Sequence, residues 1–415
     1  MPKIAYLTGE YPRATDTFIQ REVAALRGQG FEVTTCSIRR TGAEHLVGPE
    51  QKTEAANTFY VLSAAASPMR SVRAHWRALR RDAGGWWRGL RLALRTSPGG
   101  ARATLYQLFY FAEAVVLADH LRAQNVQHLH NHIAKASCTV AMLCQEISGI
   151  PYSFTLHGPD IFFEPLRWRL DQKIARASFV ACISEFCRSQ GMVFSAPQDW
   201  NKLHIVHCGV SPDRYESPRQ RAGNKALFVG RLAAVKGVPV LFEALKSLVQ
   251  THPDFHLTLI GDGPERHALE QSAGEMGLAD HVSFVGYKSQ EEVAAALALH
   301  DLLVLPSFAE GVPVVLMEAM AATLPVVTTR IAGVPELVED GVSGLLVPPG
   351  DAAALQAALA RVLSDPEAVE RMGQAGRARV AAEFDIQQEA AWLGQLLRGY
   401  IEGIPPASKR PEIDA

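Results

Sequence analysis

The sequence predicts an α/β protein built from two doubly wound domains, each a parallel sheet with helices on both faces. Three observations carry this. The chain has 415 residues, more than one ordinary core holds and enough for two domains of about 200 residues each. It opens as strand, helix, strand, with Lys3 to Thr8, Thr15 to Gly30 (apolar spacing through Phe18, Ile19, Val23 and Leu26) and Phe31 to Ile38. From Ala226 the same alternation runs on, and alternating strands and helices imply a parallel sheet covered on both sides.

In that second series the strands are Ala226 to Val229, His256 to Ile260, Val282 to Val285, Leu302 to Leu305, Pro325 to Thr328 and Gly344 to Val347. Helices over Val238 to Thr251, Pro264 to Met276, Gln290 to Leu299 and Val314 to Ala322 separate the first five. The domains read as 1–200 and 201–385, both Rossmann-like and facing each other across a cleft, with Pro- and Gly-containing residues 195–223 as the linker. Residues 386–403 read as a helix crossing back to the first domain, and 404–415 as a disordered tail.

Composition excludes several classes. With 48% hydrophobic and 20% charged residues, the chain is neither disordered nor collagen-like. The six cysteines lack CxxC or zinc-type spacing, so they read as buried thiols of a reducing compartment. The first residues form a strand-like run rather than a secretory signal, and the best apolar run, Phe109 to Ala118, is interrupted by Glu113. The expected location is cytoplasmic. The net charge of −2 hides an asymmetry: residues 1–205 carry 24 Lys/Arg against 16 Asp/Glu, and the remainder 17 against 27.

The most specific motif is Glu310-x7-Glu318, following the apolar strand Leu302 to Leu305. A strand end, a loop presenting Glu310, Pro313 at a helix start and Glu318 inside the helix can hold an extended, phosphate-bearing ligand. Helix-start amides take the phosphate, and two carboxylates about 12 Å apart by helical rise take hydroxyls at its two ends. A nucleotide sugar has that shape. Taken alone, the two acids also suit a solvated helix start. Gly230-Arg231-x4-Lys236-Gly237 places two cations beside a turn and suits a diphosphate, although a surface loop would read the same way. Gly261-Asp-Gly263 lacks the third glycine of G-x-G-x-x-G, Arg266 standing in its place, which disfavours a dinucleotide dehydrogenase.

In the first half, His157 ends a strand and precedes Gly158, where ligands of open α/β sheets bind; a packed core histidine is the other reading. His128, His130 and His132 alternate onto one strand face. A metal site is conceivable there, but no acidic partner stands nearby in sequence, which favours cleft lining or core packing. Residues 68–102 hold nine arginines, one acid (Asp82), and Trp76, Trp86 and Trp87. This composition suits an anionic membrane surface as well as a solvated basic face, and no nucleic-acid motif accompanies it.

Together, Val229-Gly-Arg-Leu-x3-Lys-Gly237, the Gly261 turn, Phe284-Val-Gly286-Tyr287, Glu310-x7-Glu318 and the closing Ala332-to-Gly350 segment resemble family 4 glycosyltransferases of the GT-B fold. The first half resembles their exopolysaccharide, colanic-acid type branch through Glu10-Tyr-Pro-x4-Thr17-Phe-Ile-x2-Glu22, His130-x-His132 and His157-Gly-x-Asp160. The resemblance implies transfer of a hexose from a UDP- or GDP-sugar to a saccharide acceptor, lipid-linked, with retention of anomeric configuration and without cofactor or metal. His157 and Glu310 would act at the sugar, and Glu318 would hold the ribose. Gly230, Arg231, Lys236 and Gly261, with the amides of Gly311, Val314 and Val315, would surround the diphosphate, and Gly286 and Tyr287 the base. Gly9, Thr17, His130, His132 and Asp160 are candidates for the acceptor or the cleft wall. The first loop lacks the paired glycines of many members, and Ala332 replaces one of a common glycine pair. Two rivals remain: a nucleotide-sugar 2-epimerase of the same fold, and a catalytically silent partner subunit.

Overall fold

The computed structural model describes residues 1–13, 16–46, 48–158, 162–216, 223–404 and 406. Residues 1–207 form one compact unit together with the C-terminal segment from Gln388, and Cys208–Gln387 form a second.

The first unit holds a seven-stranded sheet in the order β3-β2-β1-β4-β5-β6-β7. Its strands are β1 (Lys3–Glu10), β2 (Glu32–Arg39), β3 (Phe59–Tyr60), β4 (His128–His132), β5 (Tyr152–Leu156), β6 (Val180–Cys182) and β7 (Leu203–Ile205). All neighbours pair in parallel. The stretch 195–223, expected as a linker, therefore contains the last strand of this sheet, a three-residue run too short to stand out by periodicity; residues 217–222 lie outside the described residues.

Between β3 and β4 stand two long helices, Pro68–Arg95 and Ala101–Ala123, which pack on each other and on helix Ala136–Ser148. The basic segment 68–102 thus spans one helix and the start of the next. The first helix breaks at Asp82 (φ −149°, ψ 86°), whose carboxylate accepts a hydrogen bond from the Gly85 amide at 2.8 Å. An aspartate three residues before a free amide is an N-cap, so the break starts a new helix rather than bending the old one. Gly89 lets this helix approach Ile147, where a Cβ would crowd the side chain. Glu113, on the second helix, is buried, and desolvation pushes its carboxyl up to about 7.

The closing helix, Ile386–Glu402, buries Trp392, Leu393, Leu396 and Leu397. Trp392 donates to the Ile205 carbonyl at 3.0 Å, and Arg398 to that of Gln29 at 3.0 Å. Of the tail expected to be disordered, residues 405 and 407–415 lie outside the described residues.

The second unit has six strands in the order β10-β9-β8-β11-β12-β13: β8 (Lys225–Val229), β9 (His256–Ile260), β10 (Val282–Gly286), β11 (Leu302–Leu305), β12 (Val326–Thr329) and β13 (Leu345–Val347). These pairs are parallel too. Strand β11 is wholly buried, as an apolar run without alternation requires. Helix Gln290–Leu299 starts with a reciprocal cap between Ser289 and Glu292. All six cysteines of the chain are buried and free. Among the described residues, no helix is long and apolar enough to cross a membrane.

Two helical glycines of this unit differ in surroundings. A Cβ on Gly373, in helix Pro366–Glu383, would overlap the Thr323 carbonyl, while one on Gly274, in helix Arg266–Glu275, would meet nothing within 4 Å. Gly373→Ala should therefore lower stability by about 1–3 kcal/mol, and Gly274→Ala should raise it by about 0.5–1 kcal/mol. Urea midpoints of the two variants check this, and shifts in the same direction would contradict the packing.

Candidate active site

In the second unit the order of strands reverses beside β8: the chain steps outward to β9 and β10, then returns to place β11 on the other side. Connections leaving β8 and β11 diverge over opposite faces, which opens a crevice at the carboxyl ends of these two strands. The loop after β8 carries Gly230, Arg231 and Lys236. The loop after β11 carries Ser307, Glu310 and Gly311 and leads into helix Val314–Ala321.

These two loops are joined. The Phe308 amide donates to the Val235 carbonyl at 2.7 Å. Gly237 is left-handed (φ 65°), and a Cβ there would overlap the Pro306 carbonyl, so the glycine after Lys236 is what lets the loops meet. The Lys236 ammonium donates to Oε1 of Glu310 at 2.5 Å, and Ser307 Oγ donates to the same oxygen at 2.7 Å. Ser307 is itself fixed, its carbonyl accepting from Thr329 Oγ1 at 2.6 Å. A carboxylate and an ammonium, both mostly buried, are thereby held at the switch point. Arg231 is exposed at the end of β8 and makes no ion pair among the described residues. Val314 and Val315 open the helix, where amides have no carbonyl one turn back to bind.

Glu318 is the fifth residue of this helix and is buried, 8% exposed. Glu310 through Pro313 are not helical, so the separation of the two acids is not the helical rise that the spacing suggested.

The Gly261 turn has a local explanation. Gly261 (φ 134°) would overlap the Gly230 carbonyl if it carried a Cβ, and Gly263 would overlap that of Leu232. Both glycines serve the close approach of the β9 loop to the β8 loop, as missing side chains do wherever backbones touch. The Gly261 amide donates to the Gly286 carbonyl at 2.8 Å, and the half-exposed Tyr287 donates from Oη to the Asp262 carbonyl at 3.3 Å.

In the first unit the switch lies between β1 and β4. Gly9 is exposed near the end of β1, and its carbonyl accepts from Ser37 Oγ at 3.4 Å; Thr17 opens helix Thr17–Gly28. His157 follows β5 directly and is 6% exposed. Burial pushes its imidazole well below the usual value, with the neighbouring His132 imidazole adding to the effect, so the ring is neutral at neutral pH. Asp160 lies outside the described residues.

His128, His130 and His132 do share one face of β4, and all three are fully buried. Of the two readings open for them, core packing holds for His128 and His130. His128 Nε2 meets Ser153 Oγ at 2.7 Å, and the two nitrogens of His130 meet Ser153 and Thr155 at 2.8 and 2.9 Å. His132 instead bridges Glu22 and His157, at 2.9 and 3.1 Å. Glu22 is the acidic partner not visible beside the histidines in sequence. Its signal was a glutamate on the apolar face of the first helix, in register with Ile19, Val23 and Leu26. Donor atoms of Glu22, His130 and His132 lie within 4.8 Å of one another. Every nitrogen of these two rings has a hydrogen-bond partner within the protein, so the cluster is a connected polar network.

Comparison with known proteins places these units. Residues 16–214 match the family described as glycosyltransferase family 4, and residues 212–379 the family described as glycosyl transferases group 1. The chain is 30% identical over 412 residues to the putative colanic acid biosynthesis glycosyltransferase WcaL of Escherichia coli K12, covering 93% of this chain and 97% of that one. It is 34% identical over 254 residues to the amylovoran biosynthesis glycosyltransferase AmsK of Erwinia amylovora, spanning 58% of this chain and 62% of the relative. Among solved structures, Anabaena Alr3699/HepE in complex with UDP-glucose superposes with a TM-score of 0.73 at 18% identity, covering 96% of this chain and all of the other. Sucrose-phosphate synthase from Thermosynechococcus elongatus superposes at 0.72 and 21%, covering 97% and 100%. With two parallel Rossmann-like sheets and homology along nearly its whole length, the chain belongs to the family 4 glycosyltransferases of the GT-B fold.

Proposed function

We propose that this enzyme is a retaining hexosyltransferase that moves a sugar from a nucleoside-diphosphate donor, UDP- or GDP-linked, to a lipid-linked saccharide in the building of a cell-surface polysaccharide. The observation that carries the reading is the Lys236, Glu310 and Ser307 constellation at the β8/β11 switch, beside the first-turn amides of helix Val314–Ala321. The names of two relatives, colanic acid and amylovoran biosynthesis glycosyltransferases, support a polysaccharide product. The UDP-glucose complex of the structural neighbour supports a nucleotide-sugar donor.

The second unit binds the donor. Among the described residues, both side-chain hydrogen bonds to Glu310 end on Oε1, which leaves Oε2 to accept from hydroxyls of the sugar. Lys236, Arg231 and the helix-start amides of Val314 and Val315 take the diphosphate, whose charge grows as the glycosidic bond breaks. Glu318 accepts from the ribose, and Tyr287 flanks the base. The first unit brings the acceptor, and neutral His157 accepts a hydrogen bond at the sugar. The acceptor hydroxyl attacks on the face that the diphosphate leaves and gives its proton to the departing phosphate, so no protein nucleophile is needed.

Helix Pro68–Arg95 supports docking to an anionic membrane. All of its arginines are exposed, and among the described residues Arg70, Arg73, Arg80, Arg81, Arg91 and Arg95 make no ion pair. Met69, Val72, Trp76 and Trp87 are exposed beside them. Cations without an ion pair next to apolar and indole side chains, Arg80 lying over the Trp76 ring, match the headgroup boundary of a charged bilayer.

Thermal shift and slow donor hydrolysis with UDP-, GDP-, ADP- and TDP-sugars test the donor reading. One donor should stabilise the protein, and Glu318→Ala should abolish the shift. Lys236→Ala and Arg231→Ala should each weaken that donor by roughly tenfold to a hundredfold, as loss of about 1.5–3 kcal/mol from a charged hydrogen bond implies. Stabilisation by none would favour the silent subunit, and an epimerised donor the epimerase. Co-sedimentation tests the membrane reading. Vesicles with anionic lipid should bind the protein and neutral vesicles should not, and replacing Arg70, Arg73, Arg80 and Arg81 with Ala should cut binding by more than about tenfold; binding that survives the four changes removes the helix from that role.

A further inference from the structure

A buried chain of polar groups runs from the middle of the first sheet to His157. Tyr6 Oη, on β1, donates to Glu22 Oε1 at 2.5 Å. The same oxygen lies 2.9 Å from His132 Nε2, and His132 Nδ1 lies 3.1 Å from His157 Nε2. These residues come from β1, helix Thr17–Gly28, the end of β4 and the residue after β5, and none is more than 7% exposed. Phe18 covers both imidazoles, with ring centroids 5.1 Å from His157 and 6.1 Å from His132.

Packing alone does not call for such a chain. Glu22 occupies a core position of its helix among Ile19, Val23 and Leu26, where an apolar side chain of similar length would avoid the desolvation of a carboxylate. What the carboxylate adds is direction. It can only accept, so Tyr6 Oη and His132 Nε2 must both donate to it. An imidazole whose only proton is on Nε2 has a bare Nδ1; with His132 in that form, its Nδ1 accepts and His157 Nε2 donates. Each proton along the line is placed by the group before it.

We propose that Glu22 and His132 are positioning residues for His157, holding its ring orientation and keeping its single proton on Nε2, so that Nδ1 is an acceptor. Burial supports this by keeping His157 neutral, with one ring proton to place. The proposal rests on the reading of His157 as the group that acts at the sugar, and it adds that the acceptor nitrogen of this histidine is chosen by a carboxylate two hydrogen bonds away. A second layer of this kind commonly fixes the tautomer of functional histidines at metal centres, and here no metal is needed for the same logic.

Nitrogen NMR of protein labelled with ¹⁵N-histidine reads the tautomer directly, the His157 signals being identified by their loss in His157→Asn. Three proteins are compared: wild type, Glu22→Met and Glu22→Gln. Glu22→Met keeps the volume and removes the acceptor, so the His132 proton should move to Nδ1 and that of His157 from Nε2 to Nδ1. Glu22→Gln retains a carbonyl oxygen that can accept from both Tyr6 and His132, so it should keep the wild-type tautomer. Turnover of donor should fall more than about tenfold in the Met variant, with KM for donor within about twofold, and should be largely retained in the Gln variant, by the 1.4 kcal/mol per decade expected for one misdirected hydrogen bond. A wild-type proton on Nδ1, or a tautomer unchanged in Glu22→Met, overturns the proposal. A tautomer that switches without any change in turnover upholds the positioning and overturns instead the role of His157 at the sugar.

Discussion

Two neighbouring parallel strands cannot be joined by a tight turn; each connection must cross back over a face of the sheet, and the side it covers follows from the direction in which the chain is winding. In both units that direction changes beside the first strand, between β1 and β4 and between β8 and β11. At such a change the loops at the carboxyl ends part, and no helix fills the space between them. The positions of Lys236, Glu310 and the helix-start amides of Val314 and Val315 follow from this constraint. So do those of His132, at the end of β4, and of His157, after the strand beside it.

Parted loops could be slack, and here close backbone packing prevents it. Gly237 lets the β8 loop lie against Pro306, while Gly261 and Gly263 let the β9 loop lie against Gly230 and Leu232. Glu310 is then fixed by Lys236 from one loop and Ser307 from its own, with Thr329 of the next strand holding Ser307. A carboxylate set in place before the ligand arrives does not have to be ordered at the moment of reaction, and that saving is what preorganisation means.

The first unit reaches the same end with buried polar groups. Burying an imidazole is costly unless its nitrogens are paired. His128 and His130 pair with Ser153 and Thr155 on the adjoining β5, and His132 with Glu22 and His157. A core of this kind has fewer alternative packings than an apolar one, because His130 and His132 each satisfy both ring nitrogens with fixed partners. The cation-rich helices between β3 and β4 lie on the periphery of the same unit, where Arg70 to Arg95 remain exposed.

Much of the second unit was legible from residues alone. Helices Val238–Thr251 and Gln290–Leu299 and strands His256–Ile260 and Leu302–Leu305 have the bounds that their apolar runs and flanking turns indicate, because each has a period or a cap that is local in the chain. Glu310-x7-Glu318 was legible for the same reason, being one strand end and one helix start. Strand β7 was not: three residues carry no period, and Leu203–Ile205 is a strand because β6 lies beside it. Nor was the purpose of the glycine turn, since the carbonyls that exclude a Cβ from Gly261 and Gly263 belong to residues about thirty positions earlier. The sequence by itself determined the two-sheet class, the Glu310-x7-Glu318 motif and the alternation of three histidines. Only the tertiary structure decided what those histidines do, because the hydrogen bond that separates His132 from its two neighbours on β4 reaches Glu22, 110 residues away in the chain, and a contact of that separation leaves no local pattern.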